Sequence, residues 1–457
     1  MRRHHCVALP GTRRHGADRI PDGSARSGMR NAGPNSSQQR YGSFSSHRRT
    51  ARNNQLTIGC PECGALEDIP ALPARAAAYC RVCRCPLERR SGRSIDGAFA
   101  CATATFVLLF PANLSPLMTV HLLGTDHSSV LASGIVSLTQ EGWVLLAVLL
   151  GISGIALPFI RLGALCVVLG AIRFARPFHG IGAMYRWALW LDPWTMPDVF
   201  LVGCFVGYSR VTQNLTSTVG VGGYCFIAAG FLSMLTRATL DRRAVWRAIG
   251  AERQLAADEP TLACSACDMI LPTSCEGHPC PRCGLKLQAR KPDAIARATA
   301  LSLAALVLAI PANLFPMTIS TQLGRNMPVR IVDGVGQLFS AGLWPLGILI
   351  FCTSIVIPFA KVFGMAWFVT SVRRRSRWHL SAKSRLYRLI DELGRWSNVD
   401  VFTIVAFVPL IQLDGVASAR AGPGATAFAL VVFLTMAASR SFDPRLMWDV
   451  LAEDGHE

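Results

Sequence analysis

Cys60-Pro-Glu-Cys63 and Cys80-Arg-Val-Cys83, with Pro111-Ala-Asn-Leu114 behind them, return as Cys264-Ser-Ala-Cys267, Cys280-Pro-Arg-Cys283 and Pro311-Ala-Asn-Leu314. Cys80, Pro111 and Pro158 each recur 200 positions on, and Ile155-Ala-Leu-Pro-Phe159 becomes Ile355-Val-Ile-Pro-Phe359. Farther along the offset grows to 202. Trp194 and Asp198-Val-Phe200 return as Trp396 and Asp400-Val-Phe402, and Leu240-Asp-Arg-Arg-Ala-Val-Trp246 answers Phe442-Asp-Pro-Arg-Leu-Met-Trp448. Solenoid repeats run to about 20–50 residues, so a period this long marks a duplicated domain. Each copy is a double Cys-x-x-Cys module followed by a long apolar region.

Composition says what the apolar regions are. Of 457 residues 51% are hydrophobic and only 16% charged, with a mean hydropathy of +0.34. These values fit a polytopic membrane protein. The formal charge of +18 does not point to nucleic acid, because the basic residues sit in the N-terminal tail and in alternate loops. Four apolar stretches follow each cysteine module, at 96–120, 141–172, 197–213 and 219–238, then at 295–319, 340–371, 399–413 and 424–440. A spanning helix needs about 20 residues, so the third and seventh are short and the second and sixth long enough to tilt or to extend past the membrane. Residues 121–140 carry no Lys or Arg, whereas Arg173, Arg176 and Arg186 follow the second stretch and Arg373, Arg374, Arg375 and Arg377 the sixth. That asymmetry predicts cytoplasmic termini and cytoplasmic cysteine modules. An even number of spans per copy gives both halves one orientation, related by an axis along the membrane normal.

Cys60, Cys63, Cys80 and Cys83 form one candidate ligand set, and Cys264, Cys267, Cys280 and Cys283 the other. Two knuckles joined by a short β-hairpin bring four thiolates to a tetrahedral site, the donor set of structural zinc, and four cysteines close the shell against catalysis. Gly64 and Gly284 follow a second cysteine, where a knuckle turn favours positive φ. A rubredoxin-type iron centre would use the same thiolates, and a dithiol redox pair is the other rival, although nothing nearby reads as a thioredoxin βαβ unit. Cys85 is an additional thiol in the first module.

Several polar residues lie where lipid is expected. Asn113 and Asn313 sit between paired prolines late in the first and fifth stretches, where they can satisfy backbone groups freed by a kink or line a cavity. Arg161 and Lys361 lie two residues after Pro-Phe inside the second and sixth stretches. A charge in mid-membrane costs about 2.5–3.5 kcal/mol on insertion scales, so each should face the bundle interior with a partner. Asp198 and Asp400 are the candidate partners, with helix N-capping as their alternative role. Ser233 and Thr435 hold matching positions in the fourth and eighth stretches, bonded to their own backbone or serving as a relay.

The order double Cys-x-x-Cys, Pro-Ala-Asn-Leu, Pro-Phe-x-Arg/Lys, Trp…Asp-Val-Phe and Phe-Asp-Pro-Arg-x-x-Trp resembles the paraquat-inducible protein A family over residues 56–450, with Leu240-Asp-Arg-Arg243 as the first half's departure from the last motif. The resemblance implies a bacterial inner-membrane protein with paired zinc-ribbon and four-helix domains. It also implies a place in a system whose MCE-domain protein bridges the envelope and moves phospholipid between membranes. The expected fold class is an all-α polytopic membrane protein with two tandem four-helix transmembrane domains, each preceded by a small β-rich zinc ribbon. The expected boundaries are a disordered basic tail over 1–55, a first ribbon over 56–90 and a first membrane domain over 95–240. They continue with a second ribbon over 260–290, a second membrane domain over 294–442 and a cytoplasmic tail over 443–457. Met29 offers an alternative start. The expected function is non-enzymatic: lipid transport with two structural zinc ions. No Gly-x-x-x-x-Gly-Lys-Ser/Thr phosphate loop is present, so proton coupling through Lys361 and Asp198 or Asp400 stands in for ATP. The competing functions are a membrane thiol oxidoreductase and a zinc-dependent membrane scaffold.

Overall fold

The computed structural model describes residues 55–70, 72–73, 76–89, 95–122, 125–212, 216–250, 260–322, 325–407 and 417–453. The basic tail expected over 1–55 lies outside them except for Gln55.

The first cysteine module is two antiparallel hairpins, β1 (Gln55–Gly59) with β2 (Leu66–Pro70) and β3 (Ala77–Tyr79) with β4 (Pro86–Arg89). The first apolar region follows with α1 (Ile95–Leu114), β5 (Met118–Leu122), β6 (Thr125–Ser129), α2 (Leu131–Gln140) and α3 (Val144–Arg173). It continues with α4 (Ile181–Leu191), α5 (Pro197–Val211), β7 (Thr216–Val219), α6 (Val221–Thr239) and α7 (Arg242–Ile249). The second module contributes β8 (Thr261–Ala263) and β9 (Ile270–Pro272). The second apolar region repeats the first with α8 (Ala294–Leu314), β10 (Thr318–Gln322), β11 (Arg325–Val329), α9 (Ile331–Ser340) and α10 (Trp344–Arg373). It ends with α11 (Leu380–Leu393), α12 (Val399–Phe407), β12 (Ala417–Ala421), α13 (Pro423–Ser441) and α14 (Asp449–Glu453).

Among the described residues six helices are long and apolar enough to cross a membrane, namely α1, α3, α6, α8, α10 and α13. At 1.5 Å per residue the 30-residue α3 and α10 run about 45 Å and pass well beyond a hydrocarbon core of about 30 Å. The third apolar stretch of each half is shorter. The 15-residue α5 reaches only about 22 Å, and α12 is described as far as Phe407.

The proline motifs act differently in the two places. In α1 the helix continues through Pro111 and ends at Leu114, with Pro116 outside it; α8 does the same around Pro311. In α3 and α10 each proline is preceded by one π-helical turn, Ile152–Ala156 and Cys352–Val356. Pro158 and Pro358 have no N–H to offer the residue four back, and the wider turn accommodates that gap. Strands close the ends of α1 and α8 opposite the cysteine modules, in the antiparallel orders β6-β5-β7 and β11-β10-β12.

The two halves meet about a pseudo-two-fold axis, because residues at equivalent positions touch each other. The Phe200 and Phe402 rings, 202 positions apart, lie 5.1 Å centroid to centroid. Asn398 donates to the Met196 sulfur at 3.0 Å, again between equivalent positions. Met196, Val199, Phe200, Val399, Val401 and Phe402 belong to one buried cluster that joins the halves.

The modules dock crosswise. The first packs Ile58, Cys60 and Leu87 against Phe368, Ile390, Phe442 and Trp448 of the second half, and Arg388 pairs with Glu62. The second packs Leu262, Cys264 and Leu271 against Ala98, Ile181, Tyr185 and Trp246 of the first half. The modules lie side by side, with Gly59 of β1 against the Ala263 side chain of β8, and Arg247 of α7 bonds Glu88 of the first module at 2.9 Å. The segment expected as a cytoplasmic tail over 443–457 packs, as far as Leu451, against this core. Trp448 donates to Ser384 at 3.0 Å, and Asp449 pairs with Arg290.

Candidate functional site

Four knuckles build the two thiolate groups, and each uses the same turn. Cys60, Cys80, Cys264 and Cys280 donate their backbone N–H to the carbonyl five residues on, and each accepts at its own carbonyl from the residue four on. That last residue has positive φ in every case: Gly64 at 77°, Arg84 at 58°, Asp268 at 54° and Gly284 at 70°. Glycine takes this conformation freely, whereas a side chain there costs about 1–2 kcal/mol. Arg84→Gly should therefore stabilise the first module by about 1 kcal/mol, read as a later midpoint in thermal unfolding of its thiolate site.

Within each group the four sulfurs lie within 4.8 Å of one another. Cys60 and Cys83 are 3.4 Å apart, Cys63 and Cys80 3.5 Å, and both facing pairs of the second group 3.6 Å. A tetrahedron with metal–sulfur bonds of about 2.3 Å needs sulfur separations near 3.8 Å, so the residues present fit a four-coordinate soft metal ion. Cys85 is buried beside the first group and donates to the Pro86 carbonyl, outside the four.

The intramembrane charges are arranged differently from the expectation. Arg161 is buried on α3 and pairs with Asp192, not with Asp198. Asp192 opens a short 3-10 turn after α4 and also meets Arg237 at 3.1 Å and Arg242 at 3.3 Å. Burial pushes the Asp192 carboxyl up, but these three guanidiniums outweigh it and hold the group below the usual carboxylate range. Asp198 makes no capping bond at the start of α5. It accepts from Arg237 at 2.9 Å and faces Arg395 of the other half at 3.9 Å. Arg237 also donates to the Thr195 carbonyl at 2.8 Å. Sequence reasoning does not single out Asp192 or Arg237; the signals were an acid in the otherwise apolar Trp190–Trp194 run and a cation in the last turn of a span.

The second half lacks this network. Lys361 is buried on α10, with no hydrogen-bond partner for its Nζ among the described residues. Its stem lies against the Cα of Gly394, where any side chain would collide with it. Along α4 and α11, whose left-handed N-caps are Gly180 and His379, the offset is 199; on it Asp391 is the counterpart of Asp192, and it accepts from Ser439 at 2.8 Å and pairs with Arg440 at 3.4 Å. Asp400 accepts from Ser354 at 2.6 Å, and Ser354 lies on the π turn. The expected pairing of Lys361 with Asp400 is therefore not made. Asn113 and Asn313 donate to the carbonyls four residues back in their own helices, at 2.7 and 2.8 Å. Thr435 bonds its own backbone, at the Val432 carbonyl, but the buried Ser233 hydroxyl has no partner among the described residues. A narrow apolar cleft between α8, α10 and α13 is lined by Ala309, Asn313, Ser354, Phe359, Val362 and Phe428, among others.

The sequence profile of the family described as paraquat-inducible protein A matches residues 95–250 and 295–452. The chain is 30% identical over 397 residues to the lipophilic envelope-spanning tunnel protein A of Escherichia coli K12, covering 85% of this chain and 90% of the relative. It is 29% identical over 415 residues to the intermembrane transport protein PqiA of the same strain, covering 88% and 97%. No solved structure matches the chain. One of these relatives is named for intermembrane transport and the other as an envelope-spanning tunnel; neither name is that of an enzyme.

Proposed function

This chain belongs to the paraquat-inducible protein A family, and we propose that it is the inner-membrane subunit of an envelope-spanning system that moves phospholipid between membranes. Its partner on this reading is an MCE-domain protein. The names of the relatives support transport, and the narrow apolar cleft between α8, α10 and α13, with Ser354 on its wall, has the lining an acyl chain would contact. On the same reading α5 and α12 are the third helices of two four-helix domains. The cysteine modules and both termini are cytoplasmic, following the Lys/Arg asymmetry of the loops. Each four-thiolate group holds one structural zinc ion, whose closed sulfur shell leaves no open position for chemistry.

The observation that carries a coupling role is the contrast between Arg161 and Lys361. At one position the cation is an arginine paired with Asp192, although its Nε has no partner among the described residues; at the other it is a buried lysine without an acceptor. Lysine, unlike arginine, can release its proton when desolvated, so the second half holds a group able to bind and release protons where the first holds a fixed charge. Lys361→Met is the test, because it keeps the length of the side chain and removes the charge. Lipid transfer from proteoliposomes to acceptor vesicles through the MCE partner should be abolished, while abundance and melting temperature stay level or rise. Wild-type transfer by Lys361→Met would remove Lys361 from the mechanism and leave the transport reading to stand on the partner assay alone.

A further inference from the structure

The two crosswise docking interfaces should be equivalent, yet they place their cations differently: the second buries Arg282 against Gly182 and Gly250, and the first gathers its arginines around an open cleft. Where the first module meets α11, a cleft of about 500 Å³ is lined by Tyr79, Cys80, Arg81, Arg84, Arg385 and Arg388. Four guanidiniums converge there. Two carboxylates answer them, Glu62 on Arg388 and Glu67 on Arg81 at 3.7 Å. Arg84 and Arg385 have no acidic partner among the described residues.

The pseudo-symmetric interface shows that packing does not require these arginines. Arg81 and Arg84 correspond to Pro281 and Gly284, and Arg388 corresponds to Leu189; only Arg385 has a basic counterpart, Arg186. That interface is nevertheless fully packed. Arg84 adds a second observation. It holds a left-handed backbone that its counterpart satisfies with glycine, so an unfavourable side chain is kept where no structural contact uses it. Lys383 donates to Ser371 at 2.6 Å and so holds this part of α11 beside the last turn of α10. A bilayer core takes about 20 residues of a helix, so roughly ten of the 30 in α10 extend beyond it if this helix spans.

We propose that this cleft is a binding site for a phosphate-bearing anion, held by Arg84 and Arg385 with Arg81 and Arg388 at its rim. A guanidinium fork matches two phosphate oxygens. The phosphate is that of an anionic lipid headgroup or a soluble phosphate, and the site stands apart from the transport reading, since neither Lys361 nor the acyl cleft enters it.

The experiment uses the full chain in detergent and compares wild type with Arg84→Gly/Arg385→Gln. Native mass spectrometry counts retained phosphatidylglycerol, and calorimetry titrates short-chain phosphatidylglycerol, short-chain phosphatidylcholine and inorganic phosphate. Wild type should bind phosphatidylglycerol or phosphate in preference to phosphatidylcholine, and the double variant about tenfold or more weakly, as expected for lost charge-assisted bonds. Binding of the anionic lipid alone assigns the site to the headgroup, whereas equal binding of inorganic phosphate assigns it to soluble phosphate. Arg176→Gln/Arg186→Gln removes two charges from the first half and should leave binding unchanged. The proposal is overturned if wild type binds neither anion, if the double variant binds as wild type does, or if the control pair loses as much. Should the double variant unfold, Arg385→Gln alone, on an exposed helix face, is judged by the same outcomes.

Discussion

Cys83→Ser should remove one metal ion per chain and loosen the far half of the molecule, not the half that follows it in sequence. A four-thiolate zinc site contributes on the order of 10 kcal/mol to the folding of a module this small, so losing one ligand undoes the module itself. The first module covers Phe368, Ile390, Phe442 and Trp448. Hydrogen–deuterium exchange should therefore rise in α11 and in residues 442–453, stay as in wild type in α4, and change in α7 only around Arg247, which loses Glu88. Cys283→Ser should show the reverse, because the second module covers Ile181, Tyr185 and Trp246. If Cys83→Ser speeds exchange in α4 and α7 and leaves α11 protected, the crosswise docking is wrong.

Asp192→Ala should be the most damaging single substitution in the first membrane half. It strips the carboxylate shared by Arg161, Arg237 and Arg242, and of these Arg161 has no exposed surface to retreat to. Removing one partner from a buried ion pair costs about 3–5 kcal/mol, most of it the uncompensated charge left behind. Abundance and melting temperature should both fall. Asp192→Ala combined with Arg161→Met should recover much of the loss, since the pair then leaves together. The matched experiment in the second half behaves differently. Lys361 has no hydrogen bond to lose, so Asp391→Ala removes contacts with Ser439 and Arg440 and, for Lys361, only the longer-range attraction of one carboxylate; the loss should be smaller. An Asp192→Ala protein as stable as wild type would show that water, and not protein, holds these charges.

Much of the architecture is legible in local patterns. The duplication, the thiolate sets, the long apolar stretches and the short third ones are each read from residues near one another in the chain. The helices α3 and α10 begin and end within a few residues of the apolar runs 141–172 and 340–371. Prolines announced a disturbance before Arg161 and Lys361, and the π turns are its form. The positive φ at Gly64 and Gly284 was legible as well, because a knuckle demands it and glycine permits it.

By itself, then, the sequence determined what depends on spacing: a repeated unit, two tetrahedral thiolate sites, and helices whose length and composition suit a bilayer. Tertiary structure alone decided which parts meet. Spacing places each module just before its own half, yet Glu62 finds Arg388, 326 positions away, because the pseudo-two-fold axis sets the modules side by side over the opposite halves. Spacing likewise offers Asp198 to Arg161 as the nearest acid opening the next helix, yet Asp192 takes that place. The 3-10 turn after α4 carries its carboxylate to α3, while Asp198 turns to Arg237 on α6 and Arg395 across the axis. The physical reason is the same in both cases. Helix formation is governed by interactions within a few residues, whereas a buried charge or an apolar face takes whatever partner the packing brings within a few ångströms, at any distance along the chain.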